Sequence, residues 1–158
     1  MDISLREYRP ADLDVLGRLF YETVHTVCSL DYTPEQLDAW APGVIDRARW
    51  DRTLTEHFTR IAQIGDQIVG FGDLADDGYL DRLYVHRDFQ RCGIATALCD
   101  ALEEHARSRG ILVVETHASI TARPFFEKRG YRAIREQQVE RAGVILINYS
   151  MEQILKRR

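Results

Sequence analysis

The chain has 158 residues, of which 45% are hydrophobic and 29% charged, and its formal net charge is −4. This length and composition are those of one globular domain with a core of its own, so we expect a single domain over residues 1–158. A net negative charge, with no Lys/Arg run other than residues 156–158, argues against a nucleic-acid-binding surface.

Two further features of the composition predict a cytoplasmic protein. No apolar run is long enough to cross a membrane, and the first residues lack the pattern of a signal peptide. The three cysteines, Cys28, Cys92 and Cys99, are an odd number without metal-like spacing, which is typical of reduced thiols.

The first third of the chain predicts one strand and three helices. Residues 3–8 alternate as a strand does, and residues 13–29 carry apolar side chains on one helical face. Residues 33–36 (Thr-Pro-Glu-Gln) form a capping box for a short helix that stops before Pro42. A third helix is predicted over residues 45–58.

The remainder predicts six more strands and two more helices. The strands are placed at residues 59–64, 67–75, 79–85, 111–116, 131–140 and 144–151, and the helices at 93–109 and 121–129. Gly70 and Gly72 inside a strand predict a bulge or the close approach of another group. Residues 111–116 are a largely apolar run, which predicts a strand that is buried on both faces and parallel to a neighbour.

The turn at residues 90–95 (Gln-Arg-Cys-Gly-Ile-Ala) leads from a strand directly into a long helix. The first turn of a helix has unpaired backbone N–H groups and the positive end of the helix dipole, so it attracts anions such as a pyrophosphate. Gly93 allows the close approach of a ligand, and Arg91 adds a charged donor for phosphate.

Together with Leu83-Tyr84-Val85 before it, this turn resembles the signature of the GNAT superfamily of N-acetyltransferases, in which Gln/Arg-x-x-Gly-x-Gly/Ala follows a Leu-x-Val strand. Residues 122–131 (Ala-Arg-Pro-Phe-Phe-Glu-Lys-Arg-Gly-Tyr) resemble a later block of the same family. The resemblance implies a mixed α/β (α+β) fold. Its central sheet has about seven mostly antiparallel strands, one splayed parallel pair and helices on both faces.

The resemblance also implies acetyl-CoA as the cosubstrate, no metal, and an amine acceptor. It places the pantetheine arm along the strand before the turn and the pyrophosphate on the backbone amides of residues 91–96. The residues expected to bind the cosubstrate are Leu83, Tyr84, Val85, Gln90, Arg91, Cys92, Gly93, Ile94, Ala95, Thr96, Ser119, Ala122, Phe125, Phe126 and Lys128. Ser119 stands where the family often has asparagine, and Phe126 stands where it often has a tyrosine that acts as general acid.

Several side chains are candidates for proton transfer. Asp81, expected on the same strand face as Tyr79 and Leu83, is the first candidate for the general base, with Glu115 and His117 as alternatives. A purely structural alternative is that Asp81 pairs with Arg82. The general acid is left open between a water and another hydroxyl, with Tyr84, Tyr131 and Tyr32 as the candidate tyrosines.

The acceptor site is expected between the first and second strands, with Asp31, Tyr32 and Trp40 as candidate contacts, whereas Trp50 is expected in the core. The acceptor itself, a small-molecule or peptide amine, is left open. A possible homodimer would pair the closing strands. Because His25, His57, His86 and His105 lack ligand spacing, no metal site is expected. The alternative function is a non-catalytic regulatory module that binds CoA or acyl-CoA.

Overall fold

Seven strands form one mixed sheet in the computed structural model, which describes residues 2–156. The strands are β1 (Ile3–Arg6), β2 (Phe58–Ile64), β3 (Gln67–Leu74), β4 (Tyr79–Val85), β5 (Val113–Ser119), β6 (Arg132–Arg141) and β7 (Val144–Ile154). They lie in the order β1-β2-β3-β4-β5-β7-β6, and all neighbours are antiparallel except β4 and β5. The predicted fold class is confirmed.

Five α-helices cover the two faces of this sheet. They are α1 (Leu13–Val27), α2 (Pro34–Trp40), α3 (Arg47–Glu56), α4 (Ile94–Ser108) and α5 (Arg123–Lys128). On one face α1, α2 and α3 share a core with Phe71 of β3. On the other face α4 and α5 pack together on the sheet, and Phe126 of α5 is in the same cluster as Leu102 of α4. No α-helix among residues 2–156 combines the length and the hydropathy needed to cross a bilayer.

Helix α4 packs closely on the sheet where β3 has a glycine beneath it. A Cβ added to Gly70 would lie 2.9 Å from Cγ2 of Ile94 and 3.1 Å from the carbonyl oxygen of Tyr84. The predicted close approach is confirmed. Strand β3 also has a bulge there, because Ala62 is paired with Gly70 and Gln63 with Ile68, which leaves Val69 as the extra residue. The beginning of α4 is thereby held directly over the sheet.

The two parallel strands are paired over only a short length. Tyr79 is paired with Glu115 and Leu80 with Thr116. Beyond these pairs β4 continues to Val85 and β5 to Ser119, so their later residues part and leave main-chain groups of β4 without a strand partner on that side. This gap opens next to the first turn of α4.

The prediction for β5 was wrong in two respects. The strand begins at Val113 and not at residue 111, and it extends to Ser119. Its burial alternates, with Glu115 and His117 exposed and Val114 and Ala118 buried. The strand therefore has one covered face, whereas the largely apolar composition of residues 111–116 had indicated two.

Candidate functional site

A cavity of about 660 Å³ lies where β4 and β5 part, between α1, the beginning of α4 and α5. It is lined by most of the residues that the sequence assigned to the cosubstrate: Leu83, Tyr84, Val85, Gln90, Arg91, Gly93, Ile94, Ala95, Thr96, Ser119, Ala122, Phe125 and Phe126. Cys92 and Lys128 are not among the lining residues. Cys92 packs against the cluster around Leu98, and Lys128 is exposed.

The turn before α4 has the backbone of an anion-binding loop. Arg91 (φ 60°) and Gly93 (φ 83°) both adopt left-handed conformations, and α4 begins directly afterwards at Ile94. Nothing lies within 4 Å of a Cβ built on Gly93, so the space in front of the helix is open. The first-turn N–H groups of α4 have no carbonyl partner within the helix and line this space.

Two hydrogen bonds fasten the end of β4 at the cavity. The carbonyl oxygen of Val85 accepts from Nε2 of Gln90 at 2.8 Å and from Oγ1 of Thr23 at 3.0 Å. Gln90 of the motif thus joins the turn to the strand, and Thr23 joins α1 to both. On the opposite wall, Oγ of Ser119 accepts from the backbone N–H of Ala122 at 3.0 Å and so fixes the approach to α5.

The three candidate tyrosines occupy different environments. The hydroxyl of Tyr131 donates to Oε2 of Glu103 at 2.8 Å, and that of Tyr32 donates to the carbonyl oxygen of Ile147 at 2.6 Å. Both side chains are buried in the core, and neither lines the cavity. Tyr84 is among the lining residues, and its ring packs on that of Phe20 in a T-shaped arrangement with 4.9 Å between the centroids. Burial raises the pKa of Tyr84, so its hydroxyl keeps its proton near neutral pH.

Two of the three candidate acceptor residues line the cavity, and the third does not. Asp31 and Trp40 line the cavity, and Oδ2 of Asp31 accepts a hydrogen bond from Oγ1 of Thr121 at 2.7 Å. Tyr32 lies behind them in the core, where burial raises its pKa to about 12. Trp50 also packs in the core, as expected, with its ring centroid 5.2 Å from that of Phe20.

The candidate bases lie on both walls of the gap. Asp81 and His117 line the cavity, whereas Glu115 is outside it and lies with Oε1 3.2 Å from Nε2 of His117. The regular alternation on which Asp81 was expected to share a face with Leu83 is interrupted by a bulge. Asp73 is paired with Arg82 and Leu74 with Leu80, so Asp81 is the extra residue of a bulge.

Because of this bulge, Asp81 joins a charged group that sequence reasoning missed, which we call the Asp73 cluster (His57, Asp73, Asp81 and Arg82). Oδ2 of Asp73 lies 2.8 Å from Nδ1 of His57 and 2.5 Å from Nη1 of Arg82. Oδ1 of Asp73 has no hydrogen-bond partner within residues 2–156, so these two contacts must compensate the buried charge. The sequence signal for the cluster was a lone aspartate in an otherwise apolar, glycine-containing strand.

The Asp73 cluster shifts the ionisation of two of its members. Burial, and secondly the charge of Asp73, raise the pKa of Asp81. The hydrogen bond to Asp73 raises the pKa of His57. Atoms of His57, Asp73 and Asp81 that could ligate a metal lie within 4.8 Å of one another. The guanidinium of Arg82 already contacts both carboxylates, which makes the group a poor site for a further cation.

Comparison with known proteins then decides the family. The model of the acetyltransferase (GNAT) domain matches residues 28–153. The chain belongs to the GNAT acetyltransferase family. The family inferred from the two motifs is thereby confirmed, and the protein is an acyltransferase enzyme.

Individual GNAT relatives match over nearly the whole chain. The uncharacterized N-acetyltransferase YafP of Escherichia coli (strain K12) is 37% identical over 150 residues, 95% of each chain. A crystal structure of a GCN5-related N-acetyltransferase (Aminotransferase, Class-II) from Rhodopseudomonas palustris is 36% identical with a TM-score of 0.94, covering 98% of this chain and 97% of that one. The PaiA N-acetyltransferase of Thermoplasma acidophilum, solved with coenzyme A, shares the fold at 17% identity, with a TM-score of 0.80 over 98% of this chain and 100% of that one.

Proposed function

We propose that this GNAT enzyme transfers an acetyl group from acetyl-CoA to a primary amine. The observation that carries the proposal is the parting of β4 from β5 directly beside the open first turn of α4. A long cosubstrate with a diphosphate at one end and a thioester at the other fits such a cavity. The coenzyme A complex of a protein with the same fold supports this choice of cosubstrate.

The two ends of the cosubstrate would be held by different parts of the main chain. The diphosphate lies at the backbone N–H groups of residues 91–96, where the helix dipole favours a negative charge. The pantetheine arm lies along β4, whose main-chain groups beyond Leu80 have no partner on β5. N–H groups near the bulge would stabilise the negative charge that develops on the thioester oxygen.

Asp81 is the general base in this proposal. The acceptor enters as an ammonium and loses one proton to the Asp81 carboxylate. The neutral nitrogen then forms a bond to the thioester carbon, and the carbon–sulfur bond breaks to release the thiolate. The second proton that the nitrogen loses as the amide forms replaces the one that the thiolate takes up. Asp81 is favoured over Glu115 because it lines the cavity, and its raised pKa makes it a stronger base than an ordinary aspartate. His117 also lines the cavity and remains the alternative.

Tyr84 is the proposed donor of a proton to the departing thiolate. The family tyrosine is replaced by Phe126, which is buried against Tyr131 and has no proton to give. Of the three candidate tyrosines, Tyr84 is the one among the residues that line the cavity, and burial raises its pKa, so the hydroxyl carries a proton near neutral pH. The acceptor is expected to be cationic because Asp31 and Asp81 both line the cavity.

Calorimetry and a thiol-release assay test the proposal in two steps. We expect acetyl-CoA to bind saturably, and we expect free CoA thiol to appear with at least one member of a panel of diamines, aminoglycosides and lysyl or amino-terminal peptides. Absence of binding at millimolar acetyl-CoA would refute the cosubstrate. Binding without turnover across the panel would favour the non-catalytic module that the sequence left open, although family membership favours the enzyme.

A further inference from the structure

The buried part of the Asp73 cluster is firmly anchored. Asp73 is 0% exposed, and it accepts from Arg82 and His57 through one oxygen. Nη2 of Arg82 donates to Oγ1 of Thr53 at 2.7 Å, and the guanidinium lies 4.7 Å from the ring centroid of Trp50. Strands β3 and β4 and helix α3 therefore fix the positions of Arg82 and His57.

Asp81 connects this anchored group to the cavity. Its Oδ2 lies 3.9 Å from Nδ1 of His57 and 3.5 Å from Nη1 of Arg82. His57 follows α3 and its side chain is 16% exposed, so it can exchange protons with water while it remains beside Asp81. The bulge in β4 is what brings Asp81 to this position.

We propose that His57 is a positioning residue for Asp81: the imidazole and the carboxylate titrate as a coupled pair, and the charge of His57 sets how tightly Asp81 holds a proton. The coupling follows from the geometry of the cluster. Only its consequence for turnover rests on the proposed role of Asp81 as the base in acetyl transfer.

The contacts indicate which atom of His57 changes its protonation. Nδ1 lies at hydrogen-bond distance from the Asp73 carboxylate and donates to it, so the proton is gained and lost at Nε2. The charge nevertheless spreads over the ring, about 4 Å from Asp81. At that separation two charges shift each other's pKa by roughly one unit even when water screens them.

Other charges around the pair act in known directions. The charges that shift the pKa of Asp81 are those of Asp73 on β3, Arg82 on β4, His57, and Arg49 on α3. The charges that shift the pKa of His57 are those of Asp73, Asp81 and Arg82. Burial, and secondly the charge of Asp81, raise the pKa of Tyr79. His57 is the member of the Asp73 cluster whose positive charge can be lost near neutral pH. As the pH rises and His57 becomes neutral, Asp81 becomes a stronger base.

Reciprocal NMR titrations test the coupling without any acceptor. In Asp81→Asn we expect the pKa of His57, followed through its Cε1–H resonance, to fall by roughly one unit. In His57→Gln we expect the pKa of the Asp81 carboxyl group, followed through the resonance of its carboxyl carbon, to rise by a similar amount, because the coupling is mutual. Asp66→Asn, an exposed change in the β2–β3 turn, is the control and should leave His57 unchanged. A His57 pKa that moves no more in Asp81→Asn than in the control would overturn the proposal, even if His57→Gln failed to fold.

The dependence of kcat on pH tests the consequence for turnover. With a panel amine that is acetylated, the wild-type profile should show an inflection at the His57 pKa measured by NMR. His57→Gln should lack this inflection, whereas His105→Gln, a change of a histidine stacked on Phe58, should retain it. An unchanged profile in His57→Gln would contradict the positioning role. If no amine is acetylated, the proposed function fails and the NMR titrations still decide the coupling.

Discussion

Replacement of Gly93 by alanine separates backbone strain from cosubstrate binding. Gly93 has φ 83°, and a non-glycine residue in the left-handed region costs roughly 1–2 kcal/mol. Because nothing lies within 4 Å of the added Cβ, no clash increases this cost. For a domain of this size the melting temperature should fall by roughly 2–8 °C. The methyl group also projects into the space where the diphosphate is proposed to bind.

The loss of affinity for acetyl-CoA should be larger than strain alone explains. Displacing one charge-assisted hydrogen bond to phosphate costs about 1.5–3 kcal/mol, which corresponds to roughly a 10- to 150-fold rise in Kd. Gly143→Ala is the matched control, since Gly143 has φ 78°, open space around its Cβ and a position in the turn between β6 and β7. It should lose similar stability and keep the wild-type Kd. Thermal unfolding and isothermal titration calorimetry measure the two effects, and an equal Kd in both variants would refute the reasoning.

Three further variants test other parts of the account. Asp81→Asn should lower kcat about 10²- to 10⁴-fold with an unchanged Kd for acetyl-CoA, and a kcat near the wild-type value would exclude Asp81 as the base. Tyr131→Phe removes the hydroxyl that donates to the Glu103 carboxylate, so urea unfolding should show a loss of about 1.5–3 kcal/mol while turnover is retained. Lost turnover would return Tyr131 to the candidate acids. His57 has a folded-state pKa raised above its ordinary 6.5, so its pairing with Asp73 stabilises the fold below pH 6.5 and less as the pH rises through the raised value. His57→Gln should therefore lose more stability at pH 5.5 than at high pH, and an equal loss at both would contradict this sign.

Local sequence signals located the elements that surround the cavity. Strand β4 was placed at its observed bounds because glycine and aspartate residues mark the turn before it and a polar segment ends it. The capping box at Thr33 was also found: Oγ1 of Thr33 accepts from the backbone N–H of Gln36, and the backbone N–H of Thr33 donates to Oε1 of Gln36. Such signals depend on a few neighbouring residues, so a single sequence is enough to identify them.

These local signals do not predict the register in which distant strands pair. The face of Asp81 depends on a bulge in the pairing of β3 with β4, and the Asp73 cluster depends on that register and on the position of α3. Likewise, the half-covered state of β5 is set by what packs on each face, which apolar composition alone does not determine. The sequence therefore located the turn before α4 well and described the surroundings of the proposed base poorly.

A crystal structure with acetyl-CoA tests the central claim most directly. We predict diphosphate oxygens within hydrogen-bond distance of backbone nitrogens in residues 91–96, the pantetheine arm between β4 and β5, and the thioester next to Asp81. A cosubstrate bound elsewhere, or a diphosphate more than 4 Å from all of those nitrogens, would contradict the account.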